Sequence, residues 1–242
     1  MLDRLRRVGE GVLDGAAAAG IALLVIPGAV GPATAQVPPS PAEQSRYTGL
    51  LAAAARGDGA EIRRLGAGGA NPNVRDDYQR TPLHVAAFNR QHEAMRALAA
   101  AGADPDALER DRYDIVTIAA VAGDVPTLEV ALAIGASPRN VTSRYDGTAL
   151  IAAAHLGHAD VVRTLIRAGA PLDHVNNLGW TALIESIVLG DGGPRHTDTL
   201  RALLDAGANP NLTDRNGQTP LTLARGRGYE SMIRLLQQAG GR

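Results

Sequence analysis

The chain has 242 residues, of which 45% are apolar, and a formal net charge of -1. This length and composition allow one or two domains with a substantial core. A charge so close to zero gives no electrostatic footprint for nucleic acid. The arginines are scattered along the chain, which codon bias explains, and do not cluster as they would in a phosphate-binding patch. Without cysteine, the chain has no disulfide, no thiolate nucleophile and no cysteine zinc site.

The first 35 residues have the three regions of a secretory signal in order. Arginines precede the apolar run Ala16 to Ile26, which is too short to cross a bilayer, and small residues follow up to Ala35. We therefore expect cleavage between Ala35 and Gln36, export to the periplasm or out of the cell, and no membrane contact afterwards. The alternative is an amphipathic or buried helix, because acidic residues make the leading region less basic than is usual.

A proline-rich stretch, VPPSPAEQSR, lies within residues 36–47. Proline is excluded from a helix interior because it lacks the backbone N–H and clashes with the preceding turn. The stretch is therefore predicted to be an extended linker.

From residue 48 to residue 242 the chain repeats itself. The pattern Thr-x-Leu-x-x-Ala-Ala-x-x-Gly recurs with a period of about 33 residues, as in TPLHVAAFNR from Thr81 and TALIAAAHLG from Thr148. The repeats start at positions 48, 81, 114, 148, 181 and 219. A fixed period of this length predicts a solenoid, whose units bury their apolar faces only against one another.

These residues resemble the ankyrin repeat, most openly in RTPLHVAAFNRQHEAMRALAAAGADPD and DRNGQTPLTLARGRGYESMIRLLQQAGG. The resemblance covers nearly all of the chain after the predicted signal. It implies an all-α solenoid of six helix-turn-helix repeats with β-turn fingers between them, and a role in binding other proteins. Together with the signal, it predicts a bacterial-type secreted or periplasmic ankyrin repeat protein, which we expect to be a monomer.

The chemistry of the repeated positions supports this fold independently. Thr, or Asp114 in the third repeat, can accept a hydrogen bond from the exposed N–H groups of a first helical turn. A glycine ends the second helix of each repeat, where the left-handed conformation is needed. Apolar residues at helical spacing also predict one buried ridge along the second helices. This ridge is Ile62, Met95, Leu128, Val162, Leu200 and Ile233.

The fifth repeat contains an insertion, Asp191 to Arg195, between its two helices. We predict that it lengthens the turn and that Thr197 or Asp198 caps the second helix. Its glycines follow no strand and precede no Lys, so they do not form a P-loop. Contact with a partner or an anion is an alternative, and a hydrolase or metal-dependent enzyme that uses residues 191–198 is the rival from another functional class.

The six histidines do not predict a catalytic centre. His92, His155 and His174 have no partner at the spacing of a catalytic triad or of a metal motif, and no other feature indicates a catalytic residue, a metal site or a cofactor. His84 occupies a position that bonds between neighbouring units in ankyrin repeats. His158 and His196 occupy equivalent positions at helix starts, which predicts a packing or capping role.

Six of the seven aromatic side chains fall at three positions of the repeat, on finger tips and first helices, where ankyrin repeats usually face a partner. Tyr and Trp supply much of the energy of many interfaces, and arginines nearby favour an acidic protein segment as partner. The alternative is that the rings brace each finger against its neighbour. The predicted partner-binding residues are Tyr47, Tyr78, Arg80, Phe88, Asn89, Arg112, Tyr113, Arg144, Tyr145, His155 and Trp180.

The prediction is thus a non-catalytic scaffold that binds a protein partner of unknown identity through its fingers and first helices. A narrower alternative is an exported inhibitor or immunity-type protein, which would use the same surface to block an enzyme.

Overall fold

The computed structural model describes residues 36–242. The predicted signal of residues 1–35, and with it the residue that precedes the expected cleavage site, lies outside the described residues. Within residues 36–242, no helix has the length and the apolarity that a membrane span requires.

After a short leading helix, α1 (Pro41–Gln44), the helices come in six pairs, one pair per repeat. The first helices are α2 (Gly49–Arg56), α4 (Pro82–Phe88), α6 (Ile115–Ala122), α8 (Ala149–His155), α10 (Ala182–Val188) and α12 (Pro220–Arg227). The second helices are α3 (Gly59–Ala67), α5 (His92–Ala100), α7 (Val125–Ala133), α9 (Ala159–Arg167), α11 (Pro194–Asp205) and α13 (Glu230–Gln238). The predicted fold class, an all-α solenoid of six helix-turn-helix repeats, is confirmed.

Side-chain caps define where the first helices begin. Asp114 accepts a hydrogen bond from the N–H of Thr117 at 2.7 Å, and Thr residues cap four of the other first helices in the same way. Thr48 precedes α2 but makes no such bond. The turn after the first helix needs a left-handed residue, which is glycine in most repeats; Arg90 adopts that conformation in the second repeat (φ 56) and pairs with Asp124 at 2.9 Å.

Thr181 and Thr48 form a natural pair for testing the caps. Replacing Thr181 by Val keeps the volume but leaves the Ile184 N–H, which is 3.3 Å from the Thr181 hydroxyl, without its acceptor. We expect a loss of about 1 kcal/mol in the free energy of unfolding, and a change of less than about 0.5 kcal/mol for Thr48→Val. Denaturant unfolding of both variants measures the difference, and equal losses would contradict the assignment.

The repeats stack in line, and each packs on its neighbours. Helix α6 contacts α4 and α8, and α9 contacts α7 and α11. The predicted ridge of second-helix residues is confirmed as buried at its first five positions and is wrong at Ile233, which is only partly buried, whereas Met232 is fully buried. The reason is that α13 packs on α12 and on α11, whereas no helix of the described residues packs on its opposite flank.

The insertion in the fifth repeat differs from the prediction. Helix α11 begins at Pro194, with Gly193 in extended conformation before it, so the helix has 12 residues where α9 has 9. The prediction of Thr197 or Asp198 as the cap is therefore wrong: part of the insertion extends the helix, because proline suits a first helical position. Asp191 accepts from the Gly193 N–H at 2.9 Å and contacts His196 at 2.9 Å, and Asp198 pairs with Arg201 at 3.3 Å, so the three candidate ligands of the rival metal site are engaged locally.

Residues 36–47, called the N-terminal arm from here on, are not extended throughout as the linker prediction has it. Helix α1 lies in the arm with Pro41 at its first position, which costs no hydrogen bond. Ser40 and Glu43 form a capping box, in which Glu43 accepts from the Ser40 N–H at 2.8 Å and its own N–H donates to the Ser40 hydroxyl at 3.2 Å. Pro39 is buried. The arm therefore packs on the stack.

Candidate functional site

The candidate site is the surface formed by the fingers and the first helices, called the inner face from here on. Each finger is a turn that ends directly before a first helix. The fingers span residues 76–80, 109–113, 142–147, 176–180 and 214–218, each closed by a main-chain hydrogen bond between its end residues.

A side-chain oxygen shapes most fingers from within. Asp76 accepts from the N–H groups of Tyr78 and Arg80 at 2.9 Å each, and Asn176 accepts from those of Leu178 and Trp180 at 3.0 Å each. Asp and Asn favour such turns because their short side chains reach the backbone two residues on. The finger 142–147 has one residue more, and the hydrogen bond that closes it belongs to a β-bridge between its end residues.

Main-chain hydrogen bonds also join the first four fingers to one another along the stack. The Arg110 N–H donates to the Tyr78 carbonyl at 3.0 Å, and the Ser143 N–H to the Arg112 carbonyl at 3.0 Å. The Asn177 N–H donates to the Tyr145 carbonyl at 2.9 Å. Four successive fingers are thus fixed in one row, so the inner face is preformed and not assembled from independent loops.

Arg80 does not lie on the exposed rim where the sequence analysis placed it. Its side chain is 1% exposed, with Nε 2.7 Å from Asp76 and Nη2 2.6 Å from Glu43 of the arm. Its Nη1 also donates to the Val37 carbonyl at 3.2 Å. Two carboxylates and a carbonyl compensate the buried charge, and the placement of Arg80 on an accessible surface is corrected accordingly.

The other predicted residues near the first two repeats are also engaged. The Tyr47 hydroxyl donates to Asp76 at 2.6 Å, and burial raises the pKa of that tyrosine. Although burial would raise the pKa of Asp76, hydrogen bonds from Tyr47 and Arg80 outweigh it and lower that pKa. Asn89 donates to Gln44 at 3.0 Å and to the Ala55 carbonyl at 3.2 Å, while Phe88 packs partly buried against the core. The arm covers this half of the inner face.

Tyr78 lies between two guanidinium groups. The central guanidinium carbons (Cζ) of Arg80 and Arg110 lie 4.5 Å and 4.4 Å from the centre of the Tyr78 ring, which is the geometry of a cation–π contact. For this residue the structure favours the bracing interpretation, because the ring joins two adjacent fingers.

The open half of the inner face, over the third to fifth repeats, carries mixed charge. Arg112 pairs with Asp146 at 3.1 Å, and Arg144 pairs with Asp111 at 3.4 Å, so that two fingers exchange reciprocal ion pairs. These pairs are exposed and add little stability. Because carboxylates of the same chain offset the arginines, the geometry gives no support to the expected preference for an acidic partner.

Aromatic side chains on this half have accessible parts. Tyr145 is exposed at 38% on its finger tip, whereas Tyr113 and Trp180 are partly buried and pack with one side against the core. His155, on α8, is also partly exposed. The predicted aromatic and polar residues of the third to fifth repeats therefore lie on one surface, although part of each buried ring braces the fold.

Glu185, on α10, lies beneath this surface and is not among the residues predicted from the sequence. Its side chain is 5% exposed; one carboxylate oxygen accepts from the Asn176 amide at 2.9 Å and the other lies 3.9 Å from His155 Nδ1. Burial raises the pKa of Glu185 to about 7, against the opposing hydrogen bond from Asn176. The sequence does indicate this residue, because a carboxylate stands at a position where the preceding repeat has Ala152 and the third repeat has Ile118.

The histidines have the structural roles expected of them. His84 bonds to Thr81 through Nδ1 at 2.8 Å and to the Tyr113 carbonyl of the next repeat through Nε2 at 3.1 Å, and burial lowers its pKa to about 4. The rings of His158 and His196 cover turn glycines of the preceding repeats, so that a methyl group added at Gly123 would lie 3.0 Å from the His158 ring.

Comparisons with known proteins agree with this architecture. Two family models, described as ankyrin repeats in three copies and in many copies, match residues 16–109 and 116–214, and residues 194–237, respectively. The ankyrin repeat protein YahD of Escherichia coli (strain K12) is 35% identical over 192 residues, which are 78% of this chain and 94% of that protein.

Solved structures extend the likeness to the fold. An ankyrin repeat domain from Acinetobacter baumannii is 42% identical with a TM-score of 0.75, over 80% of this chain and 98% of that one. The ankyrin repeat domain of Bcl-3, a member of the IkappaB protein family, is 29% identical with a TM-score of 0.72, over 81% and 88% of the two chains. On the extent of these matches, the chain belongs to the ankyrin repeat family.

Proposed function

We propose that this chain is an exported, non-catalytic module that binds a protein partner through the open half of its inner face. Ankyrin repeats generally mediate protein–protein interactions, and the specific surface is our inference. The observation that carries it is the row of fingers joined by main-chain hydrogen bonds, which holds Tyr113, Tyr145 and Trp180 on one surface. A preformed surface loses little ordering entropy when a partner docks.

The proposal of export has its own test. The measurement is the intact mass of the exported chain. A mass that corresponds to a chain starting at Gln36 supports cleavage at the expected boundary, whereas a mass that corresponds to a start inside the apolar run of residues 16–26 contradicts it.

Replacing Tyr113 and Trp180 together by Ala is expected to weaken partner binding by about 2 kcal/mol, roughly 30-fold in Kd, if these rings are hot spots of the interface. The partner is first captured with the full chain as bait, identified and purified. Its affinity for both forms of the chain is then measured by titration calorimetry.

Tyr229→Ala is the matched control. Tyr229 is also partly buried, but its hydroxyl bonds to the Gly190 carbonyl at 3.0 Å, at the turn between helices and away from the fingers. An unchanged Kd in a folded double variant would refute the proposed surface. Unfolding of the double variant, with a stable Tyr229→Ala chain, would favour the bracing role of the rings instead.

A further inference from the structure

We propose that the N-terminal arm is an intramolecular ligand of a second segment-binding site, on the inner face of the first two repeats. The partner segment that this site accepts has the chemistry of the arm itself: a proline-led helical turn that presents a carboxylate to Arg80 and a side-chain amide oxygen to Asn89. This inference rests on the proposed function, because it assumes that the inner face binds protein segments.

Two residues of the second repeat supply the polar contacts of this site. Arg80 immediately precedes the cap of α4, and Asn89 ends that helix, so they lie at its two ends. Adjacent arm residues reach both: Glu43 is 2.6 Å from Arg80, and the Gln44 amide oxygen accepts from Asn89 at 3.0 Å. Helix α1 itself packs on α2, and its two side chains therefore bridge from the first repeat to both ends of α4.

The guanidinium group divides its donors between the repeats and the arm. Nε faces Asp76, which belongs to the same finger, whereas Nη2 and Nη1 face Glu43 and the Val37 carbonyl. When the arm leaves, Arg80 keeps its internal partner but exposes two donors that match a carboxylate and a carbonyl. A charged, directional cradle of this kind selects its occupant by geometry.

The carboxylate of Glu43 couples folding of the arm to docking. One oxygen accepts from the Ser40 backbone at 2.8 Å and the other pairs with Arg80 at 2.6 Å. An isolated helical turn is unstable in water, so the capped turn gains its order largely from the surface on which it lies. Hydrogen bonds from Ser40, followed by contact with Arg80, lower the pKa of Glu43 to about 2, and the carboxylate stays charged over the ordinary pH range.

Tethering makes the arm a competitor. A short connection, residues 45–47, joins α1 to the cap of α2, and a ligand on a short tether has an effective concentration of about millimolar. A segment of the same chemistry added in trans must displace the arm, so undocking the arm is expected to raise its apparent affinity.

The test uses the full chain with Glu43→Arg, which places a cation against Arg80 and undocks the arm. The probe is a fluorescently labelled peptide of residues 36–45, QVPPSPAEQS, whose binding is followed by anisotropy. We expect at least a tenfold tighter Kd for the Glu43→Arg chain than for the unchanged chain, and loss of binding when the peptide itself carries Glu43→Gln. Glu93→Arg, at an exposed carboxylate that pairs with Arg63, is the control and should leave peptide binding as in the unchanged chain.

A folded Glu43→Arg chain that binds the peptide no better than the unchanged chain would overturn the inference and leave the arm as a cap of the stack. Should Glu43→Arg unfold the first repeats, Glu43→Gln in the chain carries the same comparison with a smaller perturbation. The assay is independent of the aromatic surface: peptide binding that persists in the Tyr113 and Trp180 double variant separates this site from the one proposed above. The two proposals can also fail separately. If the Glu43→Arg chain binds the peptide more tightly, while the Tyr113 and Trp180 double variant keeps the partner affinity of the unchanged chain, only the proposed function is refuted.

Discussion

Replacing Arg80 by Met is expected to lower the free energy of unfolding by about 3 kcal/mol, because removing one member of a buried ion pair leaves the other charge without compensation. The side chain is 1% exposed and holds Asp76 and Glu43 together. Glu43 can regain water by undocking with the arm, whereas Asp76 is fixed in its finger. The loss is therefore placed at the lower end of the range for buried pairs.

Arg112→Met is the matched control for this prediction. Arg112 lies on the next finger and pairs with Asp146, but its side chain is 49% exposed, and we expect a loss of less than about 1 kcal/mol. Denaturant unfolding of both variants gives the free energies, and hydrogen exchange shows whether the loss is confined to the first two repeats. Similar losses in the two variants would show that burial of Arg80 does not govern its contribution.

Glu185→Gln is expected to stabilise the protein at neutral and alkaline pH, by about 3 kcal/mol at most relative to its effect in acid. The folded chain holds a proton on Glu185 up to a pKa of about 7, whereas the unfolded chain loses it near the ordinary value of 4.5. Between these values the unfolded state binds fewer protons, so the stability that Glu185 contributes is complete below 4.5 and is lost as pH rises through 7. Gln carries no charge and avoids the loss.

His84 changes the free energy of unfolding with pH in the opposite direction to Glu185. The effect of Glu185 is therefore isolated by subtracting the stability of the unchanged chain from that of the variant at each pH. The pKa of His84 falls from 6.5 to about 4 on folding, so its contribution is complete above 6.5 and is lost as pH falls toward 4. In the shared window, the contributions of His84 and Glu185 oppose each other. The measurement is the difference between Glu185→Gln and the unchanged chain, from denaturant unfolding between about pH 4 and about pH 8.

The control is Glu93→Gln, at an exposed carboxylate, which is expected to change the free energy of unfolding by less than about 1 kcal/mol at every pH. A difference curve for Glu185→Gln that does not rise between acid and neutral pH would show that the carboxyl ionises in the folded chain without penalty.

The sequence predicted those parts of the fold that local chemistry decides. Asp114 and Thr181 cap the helices that follow them because each side chain reaches the backbone three residues on, whatever surrounds it. Leu83 and Leu150 recur at one position and are fully buried, because identical units bury identical faces against each other. From such positions the period, the helices and most of the core could be read directly.

Other features depended on contacts that the period does not encode. Arg80 is a charged residue on a finger, which predicts exposure, but it contacts Val37 and Glu43 of the arm, about forty residues earlier in the chain, and is buried. Whether the insertion forms a loop or extends the helix depends on Pro194, because proline is common both in loops and at the first position of a helix. In the candidate site, the repeat predicts which residues lie on the fingers, but it does not predict that the arm contacts the inner face of the first two repeats.

The rings over the turn glycines limit how such a chain can lengthen or shorten during evolution. His158 covers Gly123, His196 covers Gly157 and Tyr229 covers Gly192, each from the following repeat. Within the third to sixth repeats, a duplication or deletion of one whole period carries one ring and one glycine together, whichever residue it starts from, and so restores the match at the joints. An insertion or deletion of only part of a period would move a ring off its glycine, and natural variation in repeat number is expected to proceed in whole periods.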